Sequence, residues 1–501
     1  MVPASSDHAG GGRRTLPPPG SLAGATARGA LWSSVGRLGS QALQFVAGLV
    51  LARLLMPSDF GLVASVLVFT QFTQIFFDMG MGQALVQLKD LRQADLATVF
   101  WINALGGVVF AGLLTLAAPL IADFFGQPEL TRLAPLVALG FTFNLGVVHL
   151  ALLSRALRFR AIAIAEIGAA LIGLTVSIVG ALSGMGVYAL GVGQVTQSLT
   201  MSVLLWSSIA WRPHGFVDRE SIGRVWRFSG GMLGFSVVNF WGRNADNLLI
   251  GRFAGATQLG LYNRAYNLMT MPVQQVSSVL GRVMFPTMVA MGDDHPRVAL
   301  AYRRALRVIN ALTVPVLAGI AVVSPALVPA LWGQRWTPMV PLLAIVCLAG
   351  IPQCLGTSVG WIYQSQGRTG LMFRMGLVTS GLGVLAMVYA VQWGAIGVAW
   401  AVAIRAYVFS IPSLVVACRV IGLPAVRVLV DNAVTLVLSA VMAGLVWLVP
   451  PVLSSTRTGP GMLAVQVIVG TVVYCGGVLL FQRSLVGELR ALAASRRKAV
   501  A

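Results

Sequence analysis

The chain has 501 residues, of which 57% are hydrophobic and only 10% charged, and its mean hydropathy is +0.83. A soluble domain sits at roughly 45–50% apolar and 25% charged, so these values exclude a soluble globular protein and place most of the chain in a bilayer. The net charge of +20 then reads as membrane topology, because Lys and Arg collect in cytoplasmic loops, and not as a nucleic-acid-binding surface.

Residues 1–29 are rich in Gly, Pro and Ser and read as a disordered cytoplasmic tail. The first apolar run begins near residue 31 and already contains Arg37, which makes a cleaved signal a poor reading. A helix needs about 20 mostly apolar residues to cross the hydrocarbon core. Segments of that kind lie near 31–55, 60–84, 96–122, 130–153, 161–183 and 187–211. A charged connection at 212–227 follows, then segments near 228–251, 259–285, 304–332, 338–364, 370–391, 395–418, 428–450 and 460–482. The expected fold is an all-α polytopic membrane protein of about fourteen transmembrane helices. Its expected parts are a six-helix bundle (30–211), a cytoplasmic linker (212–227), a second six-helix bundle (228–420), two additional helices (421–482) and a basic tail (483–501).

Loop charge supports that count. Most of the 35 Lys and Arg fall on one side, from Arg13 and Arg14 through Arg155, Arg158 and Arg160 to Arg496, Arg497 and Lys498. The other side holds Arg53, Arg132, Arg252, Arg335 and Arg457. This asymmetry makes both termini cytoplasmic. The far-side loops are short, which leaves no extracytoplasmic domain for chemistry. Cys347, Cys354, Cys418 and Cys475 lie in apolar runs without motif spacing, and the four His are scattered. Neither a disulfide framework, a metal centre nor another cofactor is expected.

Two echoes point to duplication. RLLMPSDFGL (53–62) aligns with RFAGATQLGL (252–261), pairing Arg53 with Arg252 and Gly61 with Gly260 at one interval. FGQPELTRLAPLVAL (125–139) resembles WGQRWTPMVPLLAI (332–345) in the same order. Six spans precede the second copy, so the halves start from the same side and form parallel repeats. Transporters of this build bind substrate between the halves near the midplane. The echoed Arg residues themselves read as span-end groups that snorkel, and the residues after them as turns and caps.

Charges inside spans cost at least about 2.5–3.5 kcal/mol each, so they tend to line a cavity. On the seventh span Asn239, Arg243, Asp246 and Asn247 form one helical stripe, and on the first Arg37, Gln41 and Gln44 form another. The eighth adds Arg264 and Asn267. Arg donates two parallel hydrogen bonds to phosphate, so Arg37, Arg243 and Arg264 suit an anionic head group, and the Asn and Gln side chains suit sugar hydroxyls. The competing reading is that Arg243 and Asp246 neutralise each other at i, i+3. Glu166, alone in the fifth span, is the candidate for a coupling ion. Arg405 stands isolated in the twelfth.

The stretches LARLLMPSDFGLVA, FFDMGMGQALVQ and TVFWINA, and ADNLLIGRFAGATQLGLYNRAYNLMTMP at 245–272, resemble bacterial polysaccharide exporters of the Wzx type, in the WzxC-like branch of the MOP superfamily. The likeness covers roughly residues 30–420. It implies a non-enzymatic inner-membrane flippase. Such a protein carries undecaprenyl-pyrophosphate-linked oligosaccharide units from the cytoplasmic to the periplasmic leaflet for exopolysaccharide or lipopolysaccharide synthesis. It also implies partnership with a polysaccharide polymerase and export machinery, and a cationic cavity for the head group. The polyprenyl tail is expected along the last two spans. The alternatives are a MATE-like cation or drug exporter, which would want acidic cavity groups, a lipid II flippase, and a membrane polymerase or ligase, which would want larger far-side loops.

Overall fold

The computed structural model describes residues 19–78, 81–88, 90–452 and 459–482. The first part of the chain forms α1 (Pro19–Leu54), α2 (Pro57–Asp78), α3 (Met81–Gln87), α4 (Gln93–Phe125), α5 (Leu130–Thr142), α6 (Val147–Arg155), α7 (Phe159–Leu182) and α8 (Tyr188–Ser208). The second forms α9 (Arg219–Phe253), α10 (Gly255–Met291), α11 (His295–Trp332), α12 (Met339–Ser365), α13 (Thr369–Ala390) and α14 (Gly394–Val420). Two more helices close the described chain, α15 (Ala425–Val452) and α16 (Pro460–Phe481). No strand occurs among the described residues.

Each apolar run read as a span is largely helical. Among the described residues, eight helices are long and apolar enough to cross a membrane, or nine if the bent pair α5–α6 counts as one, with α13 and α14 taken as one stretch. The chain is thus a multi-span membrane protein. Helices α2, α8, α9 and α10 occupy expected span positions without meeting that measure, and α9 and α10 carry Arg243, Asp246, Arg264 and Asn267 among their polar residues.

Three boundaries differ from expectation. Helix α1 begins at Pro19, inside the expected tail, and α9 begins at Arg219, inside the expected linker. The linker shortens because Asp218 caps α9, its carboxylate accepting from the Ser221 N–H at 2.9 Å. The fourth span breaks between α5 and α6 with a 41° bend. The freed backbone groups there find new partners. The Leu145 N–H donates to Ser202 Oγ at 3.1 Å, that hydroxyl donates to the Phe143 carbonyl, and the Trp206 indole donates to the Leu145 carbonyl at 3.0 Å.

In the first group α1 packs on α7, α7 on α8, and α4 on α5; in the second α12 packs on α10, α11 and α14. The two groups meet through α2 and α10, and the sequence echoes sit at that meeting. The end of α1 lies on the start of the second echo. Arg53 donates to the Leu331 and Ala330 carbonyls at 3.2 and 2.6 Å, and Trp336 donates to the Ala52 carbonyl at 2.8 Å. The end of α9 lies on the first copy of that echo. Arg252 stands 5.6 Å above the Phe124 ring, and Gly251 abuts Phe125. The duplication is therefore visible as reciprocal contacts.

Helices α15 and α16 attach to α11 by polar groups. Arg303 grips Asp431 through two nitrogens at 2.6 and 2.9 Å, Asn310 donates to Asn432 at 2.8 Å, and the Tyr474 hydroxyl donates to the Ala311 carbonyl at 2.8 Å.

Candidate functional site

The polar stripe of α9 turns toward α10. Asp246 is buried, accepting from the Tyr262 hydroxyl at 2.7 Å and from the Asn247 N–H at 2.8 Å. It makes no ion pair with Arg243 among the described residues. Two donors and the nearby Arg405 charge meet the Asp246 carboxylate without Arg243, and Arg243 has no ion pair among the described residues. Its side chain is exposed and stands at the wall shared by two cavities.

The first cavity, about 480 Å³, is bounded by α2, α9 and α10. It presents amides: Gln71, Asn244, Asn247, Asn263 and Asn267, beside Arg243. Asn267 donates to Asn263 at 2.8 Å and Asn263 to Asn247 at 3.5 Å, a ladder that fixes the orientation of the wall. The second cavity, about 470 Å³, lies among α9, α12, α13 and α14, and brings Arg405 near Arg243, Asp246 and Gln353. Tyr266 borders both. Amides offer donors and acceptors to hydroxyls, and guanidinium groups offer paired donors to phosphate.

Of the expected site residues, Arg243, Asp246 and Asn267 come together here. Asn239 is on α9, but its side chain lies outside the described residues. Gln41 meets Gln275 of α10 in a hydrogen bond between the two groups of helices. Gln44 and Arg37 are exposed on α1. Glu166 of α7 reaches Gly36, within 2.9 Å of where a Cβ would stand, and Arg37 is the charge that acts on it. Arg264 lies 4.2 Å above the Phe60 ring with a guanidinium nitrogen toward Gly48, outside the lining of both cavities.

Sequence reasoning missed Tyr262 as the partner of Asp246, Asn263 as the middle of the ladder, and Arg405 as the second cation. Asn263 and Asn267 are one turn apart, so the ladder had a helical signal. Arg405 had none, because its neighbours Gly383 and Asp246 come from other helices.

The chain is 28% identical over 382 residues to the lipopolysaccharide biosynthesis protein WzxC of Escherichia coli (strain K12), covering 75% of this chain and 78% of that one. It is 28% identical over 477 residues to the succinoglycan biosynthesis transport protein ExoT of Rhizobium meliloti (strain 1021), covering 93% and 95%. The fold matches that of the lipid II flippase MurJ in its inward closed conformation, with a TM-score of 0.74 at 16% identity over 91% of this chain and all of that one. The sequence model of the family described as polysaccharide biosynthesis protein matches residues 50–341, more than half of the chain, and the chain belongs to that family.

Proposed function

We propose that the chain is a flippase for polyprenyl-pyrophosphate-linked oligosaccharide repeat units, moving them from the cytoplasmic to the periplasmic leaflet of the inner membrane by alternating access. The observation that carries this reading is Arg243, an exposed cation at the wall between an amide-lined cavity and one that holds Arg405. Pyrophosphate needs paired donors and an oligosaccharide needs amides, and this wall supplies both within one turn of α9 and α10.

The names of WzxC and ExoT, tied to lipopolysaccharide and succinoglycan biosynthesis, support the substrate class. The Lys and Arg asymmetry of the loops supports cytoplasmic termini. The repeats 30–211 and 228–420 rock about the α2–α10 contact, Glu166 beside Arg37 serves the coupling ion, and a polymerase with export machinery takes the product. A MATE-like cation exporter fits less well, because the one acidic group at the cavity wall among the described residues, Asp246, is buried and committed to Tyr262.

The test is leaflet transfer in proteoliposomes that carry either an undecaprenyl-pyrophosphate oligosaccharide, lipid II, or a lipophilic cationic dye inside. Transfer of the first alone supports the reading. Transfer of lipid II at an equal rate moves the substrate class to peptidoglycan precursors, and transport of the dye alone overturns the reading.

A further inference from the structure

A third cavity opens on the outer surface between α13 and α14. Its volume is about 580 Å³ and its walls are apolar and aromatic, among them Leu382, Ala386, Tyr389, Trp400 and Ile404. One charged residue interrupts them. Arg405 lines this groove and also the inner cavity that contains Arg243, and Phe409 is likewise common to both. On the inner side its charge acts on Asp246, and a guanidinium, with five donors, can meet a second anion from the groove. Groove and inner cavity are thus contiguous across a single cation.

The groove also has a side. It runs from Trp393, at the tight turn joining α13 to α14, to Arg405 and Phe409 in the interior of α14. That turn is at the end of the helices opposite Arg368, Arg374 and Arg419, so the groove occupies the half of the membrane away from the positive loops.

From this we infer that the α13–α14 groove holds the polyprenyl chain of the lipid-linked substrate during transit, with Arg405 taking its phosphate near the midplane as the head group leaves the inner cavity. The inference rests on the flippase reading above and adds to it a lateral site on a helix pair other than α15–α16. The apolar wall takes the chain and the lone cation takes the charge at its end, which is the pattern of an amphiphile with one anionic terminus. Ordinary anionic phospholipid shares that pattern, so competition must separate the two.

The experiment uses the full chain in proteoliposomes and a photoactivatable polyprenyl diphosphate as probe, with leaflet transfer of the lipid-linked oligosaccharide measured in parallel. The expected result is labelling within residues 382–409, suppressed by unlabelled polyprenyl diphosphate and not by an equal excess of phosphatidylglycerol. Arg405→Gln should cut labelling at least tenfold. Ala386→Phe, which fills the groove at an exposed position, should do the same without touching the inner cavity, and both should slow transfer. Transfer by the wild type with labelling confined to α15 and α16 overturns the groove and leaves the flippase reading intact. Equal suppression by phosphatidylglycerol also overturns it, since the groove then holds bulk lipid. Absence of both transfer and labelling overturns the two readings together.

Discussion

Gly61 and Gly260, equivalent positions in the two halves, stand against each other's helix. A Cβ on Gly61 would run into the Ala256 carbonyl, and one on Gly260 would run into the Pro57 carbonyl and stand 2.9 Å from the Gly61 nitrogen. Pro57 and Ala256 are themselves equivalent, so the contact is reciprocal. Small residues allow backbones this close, as at membrane helix crossings generally. The contact lies beside Arg53, Trp336 and Phe60, where the end of α1 meets the start of α2, and on the flippase reading proposed above it is what closes that end of the path between the halves.

Gly61→Ala and Gly260→Ala should each overpack this crossing and destabilise the closed form by about 1–3 kcal/mol. Spin labels on the ends of α2 and α10 should report a wider far-side separation in either variant, and transfer should fall. An unchanged distance distribution would mean that the crossing does not set the closed form.

Tyr262→Phe removes one of the two donors to buried Asp246. A buried acceptor left short of a partner costs about 1–3 kcal/mol. Detergent-solubilised Tyr262→Phe should lose stability by that amount in thermal unfolding, and the double variant with Asp246→Asn should lose less than the sum of the singles. Additive losses would separate the two residues energetically.

Asp431 anchors α15 to Arg303 and Arg307 of α11, with the carboxylate mostly shielded. Asp431→Ala should cost about 1.5–3 kcal/mol, the range for hydrogen bonds to charged groups. Limited proteolysis should then release a fragment beginning in 421–424 sooner than in the wild type, while α1–α14 stay resistant. Uniform loss of protection would mean that α15 and α16 are not a separable attachment.

Asp218 lies outside the spans, and the Ser221 N–H and hydroxyl hold its carboxyl below the ordinary aspartate value. A depressed carboxyl contributes stability above its unfolded pKa and loses it as pH falls through the folded one. The start of α9 should therefore fray only below about pH 4, and in Asp218→Asn this acid-dependent step should disappear. Hydrogen exchange over residues 209–224 against pH reads both.

The helices were legible because hydrocarbon demands long apolar runs, and the architecture was legible because duplication left Arg53 beside Gly61 and Arg252 beside Gly260. The polar stripe of α9 was legible from its spacing, which brought Arg243 and Asp246 into view. Their uncoupling was not, since Asp246 takes a proton donor from α10 that satisfies it better than its own helix does. Arg264 looked like a cavity cation because its helix offers no acid, yet the face of Phe60, from another helix, receives it. The start of α9 was hidden because its cap is a polar residue inside a charged connection. Arg405 was visible as a charge inside a span, but its place beside Arg243 and Asp246 was not, because everything around it is distant in sequence.

The most direct measurement is leaflet transfer of an undecaprenyl-pyrophosphate oligosaccharide by wild type, Arg243→Lys and Arg243→Ala, each confirmed folded by its elution as one species and its thermal unfolding. Lys keeps the charge and loses the paired donors. The expected order is wild type, then Arg243→Lys, then Arg243→Ala, with the last at least tenfold slower than the wild type. Equal transfer by all three would contradict head-group binding at Arg243 and move the path of the substrate away from the cavities it joins.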